Sequence, residues 1–346
     1  MTDRINSTKQ RIHYYDLLRV MSFLFVTFYH MIIQLCTEGI CNESAVEPYL
    51  SNPNMHIAWL GVATFFMLSG AGLSVSTSEK FNLLEYYKKR FVRILLPFYI
   101  INFFYWIYYL AIYGRLWFPT DIPKYRFIFT ILGLDEWLSM HGYQTFSSGI
   151  GEWFLGAIII LYAIYPIFRI LLIKCPKIFL VLSLIIYLLV AYNYNKETPH
   201  FSANLVLKGF EFIIGMYFGR YCKKFPKFLL TISLPVIFLL TFSRMIIPVN
   251  QSVKVTLFSC AVWISVSYLE KYSIMFNDKC ITKLSNLTYE LFLTHHIVIY
   301  QLSHFAAKYI HQTSDVLIFL TIEILAIILL ALFLHCTIQK LYVHLR

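Results

Sequence analysis

The chain has 346 residues, 59% of them hydrophobic and 18% aromatic, but only 14% charged. A water-soluble domain carries about 25% charged residues, so this composition, with a mean hydropathy of +0.65, excludes a protein surrounded by water and leaves an integral membrane protein. The formal net charge is +11, yet the basic residues cluster beside the ends of apolar runs, where they set topology and meet anionic lipid headgroups rather than nucleic acid.

Ten apolar stretches follow one another at 14–36, 56–76, 91–113, 150–171, 177–194, 204–221, 227–247, 251–271, 285–308 and 315–339. Each is near the roughly 20 residues that a helix needs to cross the hydrocarbon core. They are apolar on all sides, unlike the alternating strands of a barrel. Of the 29 Lys and Arg, 20 lie in the two tails and the even-numbered connections, 8 lie in the others, and Arg19 falls inside the first stretch. The positive-inside rule then puts both termini in the cytoplasm. The expected architecture is an all-α bundle of about ten transmembrane helices, a single domain over 1–346. There is no internal repeat of the kind that builds many transporters.

In chain order, the first stretch carries Asp16, Arg19 and His30 where lipid wants no ionisable group. Arg19 and His30 are eleven residues apart. At about 100° and 1.5 Å per residue they leave one helical face, roughly 16 Å apart along the axis. Intramembrane ionisable residues mark functional sites by default; the competing reading is an arginine snorkelling to the interface and a satisfied interior histidine. Asp16 and Arg19, at i and i+3, are placed to pair, which leaves the imidazole of His30 to accept a proton as a general base. Cys36 and Cys41 share the next loop, as a disulfide if that side is oxidising or as two free thiols.

The second stretch ends FFMLSGAGLSVS, where Gly70 and Gly72 suit close helix packing and Ser69 lacks the surroundings of a nucleophile elbow. YYKKRFVRILLP at 86–97 sets Arg90 and Arg93 on one helical face, either as a headgroup anchor or as a phosphate clamp. The long connection 114–149 holds Trp117, Trp137, Asp135, Glu136 and His141, and its part at 127–140 suits an interfacial or re-entrant segment. The fourth stretch opens with Glu152 and Trp153, the latter also suited to an interfacial belt. Further on come Lys208 and Glu211, then Tyr289, Glu290, His295 and His296, and finally Glu323 with no evident partner. The seven cysteines show no paired CxxC spacing and no Cys/His cluster, so no metal site is expected.

Taken together these segments resemble the membrane acyltransferase-3 family. Arg19 and His30 reproduce its Arg-x10-His pair, and FFMLSGAGL at 65–73 is similar to its FF-x-LSG segment. Arg90 and Arg93 followed by Ile94 and Pro97 resemble its R-x-x-R-I-x-x-P stretch. Trp153, Tyr162 and Pro166 match its W…FY…P helix, and Ser285 to His295 its late S…Y…H segment. The chain departs from the family in having Ile158 and Ile159 where many members carry a glutamate, and His296 where a proline is common. The resemblance implies acyl transfer from cytoplasmic acyl-CoA to a glycan or similar acceptor. On that basis acetyl-CoA is the expected donor, with its phosphates on Arg90 and Arg93, and His30 is the base with Arg19 beside the donor's path. Glu152, Trp153 and the 114–149 connection are expected near the carbohydrate, with Tyr289 or His295 as oxyanion donors. The expected product is an O-acetylated cell-surface or lipid-linked polysaccharide at a bacterial cytoplasmic membrane, with succinyl transfer, a different envelope acceptor, or a non-enzymatic exporter as the alternatives.

Overall fold

The computed structural model describes residues 11–52, 54–77, 81–115, 121–193, 203–222, 224–269, 278–310 and 312–344. Trp117 and the basic residues Arg4, Lys9, Lys80, Lys196, Lys223, Lys271 and Arg346 lie outside the described residues. The chain is almost wholly helical: α1 (His13–Thr37), α2 (Glu43–Leu50), α3 (Ile57–Ser76), α4 (Leu83–Tyr113), α5 (Phe127–Leu132), α6 (Asp135–Ser139), α7 (Glu152–Lys174), α8 (Pro176–Asn193), α9 (Leu205–Tyr221), α10 (Lys227–Phe242), α11 (Gln251–Leu269), α12 (Asp278–Ala306) and α13 (Thr313–His344). A hairpin of two-residue strands, Ser51–Asn52 against Met55–His56, joins α2 to α3.

Ten of these helices fall on the ten apolar stretches. Among the described residues, 7 are both long enough and apolar enough to cross a membrane. The other three fall short for visible reasons: α9 has 17 residues, α10 has 16, and α12 carries Lys279, Lys283, Glu290 and three histidines. Large apolar side chains such as Ile178, Val181, Leu182, Ile185 and Leu189 of α8 are left exposed, the surface a lipid-facing helix presents.

Helix α3 is the centre of the bundle, packed by α1, α9 and α11. Its approach to α9 depends on glycine on both sides. A Cβ at Gly70 would collide with the Phe212 carbonyl, and one at Gly215 would collide with the Met67 carbonyl. Gly70 therefore packs as its sequence context predicts, whereas Gly72 meets only the end of Arg19, 4.0 Å away. On α9 the matching signal is the G-x-x-x-G pair Gly215 and Gly219, a spacing that lets helix backbones touch.

Several polar groups inside the bundle find partners. Asp16 accepts from Arg11 Nε at 2.5 Å, Arg19 Nη1 at 2.9 Å and Ser285 Oγ at 2.7 Å, so α1 is tied to α12. Lys208 and Glu211 pair at 3.0 Å, and Thr256 of α11 donates to the same carboxylate. Glu323, whose partner the sequence did not indicate, accepts from Ser303 at 2.9 Å. Cys36 and Cys41 are joined as a disulfide. The 127–140 segment forms α5 and α6, and α6 packs on α7 with Trp137 against Gly156.

Candidate active site

Three elements distant in sequence meet at His30. Helix α1 supplies the imidazole, α12 supplies His295, and the first residue of α7 supplies Glu152. His30 Nε2 lies 3.4 Å from Glu152 Oε2, and His295 Nε2 lies 3.1 Å from Glu152 Oε1. The His30 ring is 5.6 Å from that of His295 and 5.3 Å from that of His296. His295 is fully buried, Glu152 is 14% exposed and His30 is 23% exposed. His30 is thus the member of the trio with the most open surface.

The turn that aims Glu152 is unusual. Gly149 and Gly151 have φ of +77° and +79°, and Glu152 itself has φ of +45°. A non-glycine residue held there costs about 1 kcal/mol or more, and such strain persists only where surrounding structure imposes it. The surroundings come from the outer connection: the Glu136 carboxylate accepts from Ser147 Oγ and from the Gly149 amide, and Ser148 donates to Asn102 of α4. Burial raises Asp135, the neighbour of Glu136, to about 6.

The tautomer of His295 follows from its second nitrogen. Nδ1 is 2.7 Å from the Phe292 carbonyl, which only accepts, so Nδ1 carries the proton and donates. Nε2 then faces a carboxylate oxygen across 3.1 Å, and two lone pairs at that distance need a positive charge between or beside them. Neither Nε2 of His295 nor Oε1 of Glu152 completes a well-aligned hydrogen bond with any described residue. The contact is close but out of line. Such an under-satisfied buried group is a place where a ligand or reacting proton fits.

The other residues expected at the site are placed as follows. Tyr289 donates its hydroxyl to the Ile94 carbonyl at 2.7 Å, fastening α12 to α4. Trp153 stacks on Phe66 at 6.3 Å within the α3–α7 interface and is half-buried there. Instead, Tyr29 lies edge-on to His30 at 5.3 Å and to His56 at 4.6 Å, and His56 stacks on Trp59 at 5.0 Å. This aromatic group beside His30 was not singled out in the sequence, because its members come from three separate elements.

Arg19 is held by Asp16 and by Ser285 Oγ at 3.4 Å. At the same end of the bundle Arg90 lies 5.9 Å from both the Tyr86 and the Tyr162 ring centres, with its Nε buried and unbonded among the described residues. Tyr86 packs on Phe81 and Tyr165, and Arg169 of α7 sits over Phe81 at 4.7 Å. The charges of Arg169, Arg90 and Arg220 all reach Tyr165. Arg93 is exposed and stands near Tyr342 instead. Arg169 and Arg220 read in the sequence only as topology charges, and it is the packing of α4, α7 and α9 that brings them, with Arg90, within electrostatic reach of Tyr165.

The fold is that of a many-helix membrane protein, and inside it two histidines and a carboxylate meet. The family model described as an acyltransferase domain matches residues 12–336, so the chain belongs to the acyltransferase-3 family and is a membrane acyltransferase. No curated protein and no solved structure matches the chain significantly.

Proposed function

We propose that the protein transfers an acetyl group from cytoplasmic acetyl-CoA to a hydroxyl of a cell-surface or lipid-linked polysaccharide, with His30 as general base. The observation that carries this reading is the contact of His30 Nε2 with the Glu152 carboxylate inside a bundle of apolar helices. A carboxylate beside an imidazole stabilises the imidazolium formed when the base takes a proton. In the proposed step the acceptor O–H gives its proton to His30, its oxygen attacks the thioester carbonyl, and the C–S bond breaks. The proton leaves His30 to the CoA thiolate.

The donor enters at the arginine end. Arg90, aided by Arg169 and Arg220, holds its phosphates, since guanidinium forks grip phosphate bidentately. The pantetheine arm runs beside Arg19, and the roughly 16 Å from Arg19 to His30 along α1 is a span that an extended arm covers. The acceptor lies against Tyr29, His56 and Trp59, whose ring faces suit the C–H faces of a sugar. With both termini cytoplasmic, this places the donor inside and the acceptor outside.

The test uses the full chain in proteoliposomes with radiolabelled acetyl-CoA and a purified envelope glycan. Wild type is expected to label the glycan, and His30→Ala to lower transfer by about 10²–10⁴-fold, the usual worth of a positioned base. Full transfer by His30→Ala, or no transfer by wild type, overturns the reading. Transfer from succinyl-CoA but not acetyl-CoA would keep the base and change the acyl group.

A further inference from the structure

The trio at His30 has a second property that proton transfer does not require. Its three ligand atoms, one each from His30, Glu152 and His295, all lie within 4.8 Å of one another. In a tetrahedral zinc site, with ligands about 2.0–2.1 Å from the metal, neighbouring ligand atoms are roughly 3.3–3.4 Å apart. Each nitrogen stands at about that spacing from its own oxygen of the shared carboxylate, His30 Nε2 at 3.4 Å from Oε2 and His295 Nε2 at 3.1 Å from Oε1. Two imidazoles and one carboxylate also form a donor set that selects zinc over magnesium or calcium.

The second nitrogen of His295 points the same way. A metal-binding histidine commonly donates its other N–H to a backbone carbonyl, which fixes the ring and turns the free lone pair on the metal. His295 does this with Phe292 at 2.7 Å. Its Nε2 is fully buried, lies 3.1 Å from Glu152 Oε1, and completes no hydrogen bond with the described residues. A divalent ion on Glu152 supplies the positive charge that the facing lone pairs of Nε2 and Oε1 need.

We infer that His30, Glu152 and His295 bind a zinc ion, and that zinc bound there inhibits the enzyme by occupying the lone pair of His30. The inference rests on the proposed role of His30 as base only for the inhibition; the binding stands on geometry. The ion and the acceptor proton compete for one nitrogen, so inhibition is expected to be reversible and competitive with the acceptor hydroxyl. His30 has the most open surface of the three, so it is the side from which the ion enters.

The experiment takes the full chain in nanodiscs, strips it with a chelator, and titrates zinc by calorimetry, with cobalt as a visible probe. One zinc per chain is expected, with a tetrahedral cobalt absorption band that zinc displaces. His295→Ala and Glu152→Gln are each expected to weaken zinc binding by at least about tenfold. His304, which faces Glu38 at 3.6 Å outside the trio, is the control: His304→Ala should leave zinc binding unchanged. Zinc should then slow acetyl transfer, with EDTA restoring it. Absent binding, or binding indifferent to His295→Ala, overturns the site. Activity that disappears on chelation and returns with zinc overturns the inhibitory role. The binding measurement uses no substrate, so zinc bound through the trio in a chain that transfers no acyl group would support the site while sinking the transfer reading. Transfer without zinc binding would do the reverse.

Discussion

The two ends of α1 carry the same kinds of groups and treat them in opposite ways. At one end Asp16 is 2% exposed and meets Arg11, Arg19 and Ser285, each within hydrogen-bond reach. At the other end Glu152 and His295 stand close, yet an oxygen and a nitrogen between them remain without a completed bond. A saturated network costs energy to disturb and so holds helices together. An under-satisfied one keeps a proton or ion in play. The difference separates Arg19, fixed by its partners, from His30, which stands in the under-satisfied group and which we propose to be the base.

That contrast can be broken from either end. Glu152→Gln keeps the side-chain shape and removes the charge that answers an imidazolium, so acyl transfer should fall by about 10²-fold or more, while the thermal midpoint stays within a few degrees. A large loss of stability with retained activity would reverse the assignment. Asp16→Ala should do the opposite. It leaves two guanidiniums and Ser285 without their shared acceptor, at about 2–3 kcal/mol of stability, read as a lower unfolding midpoint in detergent. Intact stability would show that the network does not hold α1 to α12.

Smaller effects sharpen the picture. Arg169→Ala and Arg220→Ala should each raise the KM for acyl-CoA by about tenfold with little change in kcat, since a charge-assisted phosphate contact is worth roughly 1.5–3 kcal/mol. An unchanged KM would return both to lipid anchoring. The smallest effect concerns the outer connection that orders the Glu152 turn. Burial lifts Asp135 from 3.8 to about 6, so its neutral form is the one the fold prefers. That contribution is complete below about pH 4 and is lost as pH rises through about 6. The segment 135–149 should therefore be better protected from hydrogen exchange at pH 5 than at pH 8, by about 1 kcal/mol, and Asp135→Asn should remove the difference. A pH difference that survives Asp135→Asn would assign it to another group.

Local features were legible in the chain itself. The helices on the ten apolar stretches follow from those runs, and among the described residues seven of them are long and apolar enough to cross a membrane, where a backbone in lipid must satisfy its own hydrogen bonds. The pairs Asp16–Arg19 and Lys208–Glu211 follow from an i,i+3 spacing that puts two side chains on one face whatever surrounds them. Gly215 and Gly219 could have been found by the same means, since their spacing is a packing signal on its own.

The partners of His30 were not legible. Glu152 reaches it only because Gly149, Gly151 and Glu152 take left-handed backbone angles that Glu136 helps to impose from the outer connection. Arg169 and Arg220 join Arg90 only when α4, α7 and α9 come together around Tyr165. Trp153, which suited a sugar shelf in the sequence, stacks on Phe66 because α7 turns that face toward α3. The sequence by itself determined which segments are helices and which charges neutralise each other within a turn, because those interactions are short-range. Only the tertiary structure decided which carboxylate stands beside His30, because that contact joins residues of two helices, α1 and α7, across a glycine turn whose angles no local spacing encodes.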